Sequence, residues 1–172
     1  GRDYLHCGRT PVYIAATQGH SDVITALSEL GANVNAPNHL GRTPVWAAAR
    51  NGHSETIKVL EELGADINTP DLQQRTPVYI AANNGHSDAI RTLSELGANF
   101  NTPIQEDPAL QPTYRGRLIR TDLLHELGKT PVWVAAENGH SNAVRTLSEL
   151  GANINTPNKK RETPLWVAAK NG

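Results

Sequence analysis

Residues 43–53 read Thr43-Pro44-Val45-Trp46-Ala47-Ala48-Ala49-Arg50-Asn51-Gly52-His53, and the chain returns to this phrase again and again. Thr-Pro, then Val or Leu, an aromatic residue and a small apolar run begins at Thr10, Thr43, Thr76, Thr130 and Thr163. The steps are 33, 33, 54 and 33 residues, and the long one exceeds the period by 21. Gly-His-Ser follows at Gly19, Gly52, Gly85 and Gly139, and Glu-Leu-Gly-Ala at Glu29, Glu62, Glu95 and Glu149. Several phrases recurring together at one period mark a repeat architecture.

The unit starting at Thr10 reads as helix, turn, helix and finger. Thr10 is an N-cap, and Pro11 takes the first helical position, where a missing N–H costs nothing. The helix Val12–Gln18 carries Ala15-Ala16, small enough for a neighbouring helix to come close. Gly19 ends it with the left-handed conformation that a sharp turn needs. Ser21 or Asp22 opens a second helix whose apolar stripe is Val23, Ile24, Leu27 and Leu30. Gly31 stops that helix, and Asn33 to Arg42, rich in Asn, Gly and Pro, makes an extended turn to the next Thr-Pro. One such pair cannot bury its apolar face alone, whereas stacked neighbours can, so the expected shape is a one-dimensional solenoid.

Composition removes several classes of function. The chain has 172 residues, a net charge of −1 and 19% charged residues, with a mean hydropathy of −0.46. Balanced charge argues against a generic nucleic-acid binder, and no apolar run reaches membrane-spanning length. Cys7 is the one cysteine, so no internal disulfide can form. There is no Asn-x-Ser/Thr acceptor among fifteen asparagines and no charged-then-apolar leader, which makes an intracellular setting the expectation. There is also no P-loop and no Gly-x-Gly-x-x-Gly, so no cofactor is expected. His20, His53, His86 and His140 recur once per unit, but equivalent atoms in stacked helices sit about 10 Å apart. That excludes a shared metal ion. Each His is instead expected to satisfy backbone groups at the turn between helices. No general base can be named for Cys7. No catalytic residue and no metal ligand is assigned.

The pattern resembles the ankyrin repeat. The resemblance rests on Thr43-Pro44-Val45-Trp46-Ala47-Ala48-Ala49, Gly52-His53 and Leu63-Gly64-Ala65-Asp66-Ile67-Asn68, and it extends over nearly all the chain. It implies an all-α helix-turn-helix solenoid with extended finger loops, here with one 21-residue finger insertion. The expected division is one domain, 1–172, with a partial finger at 1–9. Repeats follow at 10–42, 43–75, 76–129 (insertion at about 104–126) and 130–162, then a truncated repeat at 163–172. Two departures from the family stand out. Its histidine after Thr-Pro-Leu is always aromatic here, at Tyr13, Trp46, Tyr79, Trp133 and Trp166. The finger glycine of Gly8, Gly41 and Gly128 is replaced by Gln74 and Arg161, which suggests reshaped finger tips. The aromatic row reads either as packing between adjacent first helices or as a set of partner anchors.

In the insertion, Ile119-Arg120-Thr121 and Leu124-His125-Glu126-Leu127-Gly128 echo Ile90 to Gly97, and a short helix over Leu118–Gly128 is expected. The insertion reads either as a decayed repeat that kept its second helix, as a partner contact through Arg115, Arg117, Leu118, Arg120 and Leu124, or as a tolerated insertion. The chain opens inside a finger and closes where a second helix is due. More chain, a longer array or a larger complex is therefore expected at its ends.

The resemblance also sorts the charges. Second helices carry eight acids against three bases, whereas fingers and first-helix ends carry ten bases against five acids. Ankyrin arrays present fingers and first helices on their concave side, so a basic concave face is expected. The reading is a non-enzymatic protein-interaction module or scaffold that binds another protein, through an acidic segment, at Arg9, Arg42, Arg50, Asn51, Arg75, Asn83, Asn84, Lys129, Glu137 and Asn138. Neither nucleic acid nor membrane is a partner on this reading. The alternative is an architectural subunit or spacer of a large assembly, docked through its insertion and chain ends.

Overall fold

A computed structural model describes residues 8–105, 113–114, 117–118 and 127–171. Apart from one pair of two-residue strands, the described residues form an all-α repeat solenoid. The first helices are α1 (Pro11–Gln18), α3 (Pro44–Arg50), α5 (Pro77–Asn83), α7 (Pro131–Glu137) and α9 (Pro164–Asn171). The second helices are α2 (Ser21–Glu29), α4 (Ser54–Glu62), α6 (Ser87–Glu95) and α8 (Ser141–Glu149). First helices pack in one row and second helices in another, each first helix lying on its own second helix; for α9 no second helix is described.

Local chemistry places the starts of the first helices. Thr10, Thr43, Thr76 and Thr130 have extended backbones, and their hydroxyls accept the N–H groups of Tyr13, Trp46, Tyr79 and Trp133. Such a cap is worth about 1 kcal/mol. Proline follows each threonine, where its fixed φ suits the first turn. Ala47, Ala48, Ala81, Ala82 and Ala135 are all but inaccessible to solvent, as close helix approach requires. Ile24, Ile57, Leu60, Ile90, Leu93 and Leu147 fill the layer between the two rows.

The recurrent histidine is a latch between units. His53 Nε2 meets the Thr17 carbonyl at 3.1 Å, His86 meets the Arg50 carbonyl at 3.0 Å and His140 meets the Asn83 carbonyl at 3.0 Å. A carbonyl only accepts, so each Nε2 carries the proton. The expected role of these residues thus extends across the seam: each histidine caps the first helix of the preceding unit. The turn glycine in front of it is doubly required. Gly52 has φ 74°, and a Cβ there would lie 2.7 Å from His86 Nδ1.

The fingers are joined by asparagine. Asn33, Asp66, Asn99 and Asn153 each accept the N–H two residues on within their own finger. Asn35, Asn68 and Asn101 each accept an N–H from the following finger, those of Asp66, Asn99 and Asn153. The Asn-rich composition is therefore a hydrogen-bond ladder between units.

Two expectations are corrected. Finger tips without glycine are not reshaped: Gln74 and Arg161 hold φ at 61° and 65°. Their N–H groups bond to Asp71 O at 2.8 Å and Asn158 O at 2.9 Å, as Gly41 does to Asn38 O at 2.9 Å. The turn is over-determined by these bonds, so a side chain accepts the roughly 1 kcal/mol cost of the left-handed region. Nor does a helix start at Leu118. Arg117–Leu118 (β2) pairs antiparallel with Thr113–Tyr114 (β1), and Leu127-Gly128 forms a turn. Tyr114 is the register partner of Arg117, and Thr113 that of Leu118. The rest of the expected helix, with Arg120 and Leu124, lies outside the described residues, as does Arg115.

The long step leaves the array intact on either side. Ile104 donates its N–H to Lys129 O at 3.0 Å and accepts that of Gly128 at 2.8 Å. Asn38 does the same with Arg42 and Gly41. Helix α5 packs directly on α7.

Candidate binding surface on the first-helix face

The aromatic row is buried: Tyr13, Trp46, Tyr79 and Trp133 are between 1% and 5% exposed, and only Trp166 opens to 46%. These rings are platforms for the basic residues expected at the site. Arg42 Cζ lies 4.4 Å from the Trp46 ring centroid, Arg75 Cζ 5.7 Å and Arg50 Cζ 5.8 Å. Three guanidiniums thus share one indole, a geometry that favours cation–π attraction.

One carboxylate organises them. Asp71, 2% exposed, holds Arg75 at 2.6 Å and Arg42 at 3.6 Å. Its other oxygen accepts the N–H groups of Gln73 and Arg75 and closes the finger turn. Among the described residues Arg50 has no carboxylate partner, and it is exposed. The cluster carries two net positive charges. Burial, followed by the like charge of Arg75, pushes the pKa of Arg42 down, while Asp71 pulls it back up. Arginine stays charged regardless, so the shift measures how poorly the cation is compensated. Arg42 Nε and Trp46 Nε1 are both buried without a hydrogen-bond partner.

The equivalent seam 87 residues on is arranged differently. Lys129, 4% exposed, lies 4.5 Å from the Trp133 centroid and bonds Glu137 at 2.7 Å. Trp133 Nε1 donates to Glu162 O at 2.9 Å, and Asn158 Nδ2 to Glu162 Oε2 at 2.8 Å. These groups line a cleft of about 330 Å³ together with Lys160, Trp166 and Lys170.

The remaining expected contacts are partly spent on the frame. Asn51 and Asn84 donate to the carbonyls four residues back, at 2.8 Å each. Asn138 reaches the preceding unit and bonds Asn83 O at 3.1 Å and Asn83 Oδ1 at 3.2 Å. Arg9 is exposed on the first described finger. The structure gathers Arg42, Arg50 and Arg75 around one ring, and Lys129 with Glu137 around another. Sequence reasoning missed Asp71 as their clamp. Its signal was visible, since Asp71 is the acid at a position otherwise held by Asn38, Ile104 and Asn158.

Among the described residues no group of three His, Cys, Asp or Glu is placed to hold a metal ion. No helix there is long and apolar enough to cross a membrane. None of the curated proteins matches the chain. The family described as Ankyrin repeats (3 copies) matches residues 2–71, 37–104 and 114–172, which together span most of the sequence. With the repeating helix pairs, latched turns and paired fingers described above, this match identifies the chain as a member of the ankyrin-repeat family.

Proposed function

We propose that the chain binds a protein partner on its face of first helices and fingers, and that the cluster around Trp46 receives an acidic segment of that partner. Ankyrin repeats are generally protein–protein interaction modules and typically not enzymes. The observation that carries the finer reading is the set of three guanidiniums on one buried indole with a single carboxylate among them. Such a patch steers an anionic partner during encounter and discriminates against a cationic one. A labelled peptide of alternating Glu and Gly tests it against the Lys counterpart. The acidic peptide should bind faster at low salt than at high salt, and Arg50→Glu should abolish the salt dependence. Equal binding of both peptides at every salt concentration would overturn the reading.

The segment with Arg115, Arg117, Leu118, Arg120 and Leu124 is proposed as a second contact. The turn that Ile104 closes with Gly128 and Lys129 supports this, because the segment is joined to the array beside Lys129. Deleting residues 106–126 restores the 33-residue spacing. The shortened chain should melt as before and bind its partner more weakly, and unchanged affinity would remove the segment from the interface.

A further inference from the structure

We infer that the Trp46 cluster is a phosphate-reading site, built to take a phosphorylated serine or threonine side chain of the protein partner. This rests on the proposed acidic-segment interface and sharpens it.

The residue types point beyond a plain carboxylate. All three cations are arginine, whose planar fork matches phosphate oxygens in a bidentate way that lysine cannot. At the equivalent positions around Trp133 stand Lys129, Glu137 and Glu162, so the repeat frame itself does not demand arginine. The charge count agrees. Arg42, Arg50 and Arg75 against Asp71 leave two positive charges. A phosphorylated side chain carries about −1.5 to −2, whereas one carboxylate would neutralise only half the excess.

The cluster is also pre-ordered and open. Asp71 and the Trp46 ring hold Arg42 and Arg75, so little of their side-chain freedom is left to lose on binding. The side chains of Arg42 and Arg75 remain 20% exposed, and Arg50 is exposed at the rim. A buried donor beside them, Trp46 Nε1, has no hydrogen-bond partner, and Arg42 Nε is held only by its 3.6 Å ion pair with Asp71. At the other seam the indole donor is satisfied by Glu162 O.

The test is a nuclear magnetic resonance titration of the ¹⁵N-labelled chain with acetyl-Gly-Gly-phosphoserine-Gly-Gly-amide. The same peptide with Asp or Ser at its centre, and inorganic phosphate, serve as comparisons. The readout is the Trp46 indole N–H, assigned through Trp46→Phe, with the Trp133 indole as internal reference. The phosphopeptide should shift the Trp46 signal selectively and saturate at a concentration at least tenfold below that of the Asp peptide. Arg50→Gln should erase that tenfold advantage while leaving the Trp133 signal in place as proof of folding. Arg50→Lys should restore only part of it. Equal saturation by the Asp and phosphoserine peptides would overturn the phosphate reading and leave the acidic-segment reading standing. Saturation by inorganic phosphate as readily as by the phosphopeptide would overturn a protein-borne ligand. No shift with any anion would overturn both readings.

Discussion

Trp133 donates its indole N–H to Glu162 O, and the lysine stacked on it is matched by Glu137. Trp46, at the same place two units earlier, has no hydrogen-bond partner for its indole and is surrounded by three arginines with one aspartate. The backbone, the Thr-Pro cap and the ring burial are shared. What differs is whether polar groups find partners inside the chain. One seam is satisfied locally, whereas the other keeps an excess of two positive charges and an indole N–H without a hydrogen-bond partner. Departures from local satisfaction are where function is expected, because the frame alone would not select for them.

The widest separation between the seams should come from the finger-turn residue. Asp71→Ala removes the turn acceptor and leaves Arg42 and Arg75 without their buried partner, at a cost of about 3 kcal/mol. Asn158→Ala, its counterpart, removes the turn acceptor and one bond to the Glu162 carboxylate but strands no buried cation, and should cost about 1.5 kcal/mol. Urea denaturation of the two variants checks this, and equal losses would mean that the charge contrast has no energetic content.

A second pair tests the latch. Gly52→Ala forces a left-handed alanine and pushes its Cβ into the His86 ring, so it should lose about 2 kcal/mol. Gly139→Ala meets nothing within 4 Å and should lose only the backbone term, about 1 kcal/mol. Thermal melts of both would show whether the contact or the φ angle dominates.

Arg50→Glu makes the Trp46 seam resemble the other one, placing an acid where Glu137 pairs with Lys129. Stability should rise by less than about 1 kcal/mol, since the pair forms near solvent, while binding of the acidic peptide is lost. Calorimetry read together with peptide affinity decides it. A variant that loses stability and keeps affinity would reverse the assignment of roles.

The smallest effect is a pH dependence. The Thr69 hydroxyl, then the Asn68 N–H, hold the Asp66 carboxyl below its ordinary range. A depressed folded-state pKa stabilises above the unfolded value, and that contribution disappears as pH falls through the folded one. The equivalent residue at the other seam is Asn153, which does not titrate. Asp66→Asn should therefore flatten the acid limb of the stability profile slightly, whereas changes at Asn153 should leave it unaltered.

Much of this was legible in the sequence. Threonine caps, first-turn prolines and turn glycines each have one mechanical use, so they located the helices directly. The aromatic row, recurring in every unit, read as packing, and the buried rings fit that reading. Charges were legible as a distribution but not as pairs. Sorting residues by face puts Arg42, Arg75 and Asp71 together without showing that Asp71 clamps both arginines. Likewise, a missing glycine cannot announce that Gln74 and Arg161 keep the left-handed turn, because the bonds enforcing it come from elsewhere in the finger. Of the helix expected over Leu118–Gly128, Leu118 falls in a strand and Leu127-Gly128 in a turn, because a Leu/Glu-rich phrase does not fix where a helix begins or ends; residues 119–126 lie outside the described residues.

The histidine latches give the array a direction. The first helices of the first three units each end near a carbonyl that accepts from a histidine of the following unit, 36 positions later for His53 and His86 and 57 later for His140. In a chain emerging from the ribosome, each unit is therefore completed by its successor. The longer interval raises the closure entropy for the third latch by about 0.4 kcal/mol over the other two. If the array closes from the N-terminal side, that step should be slower than the two before it by about a factor of two.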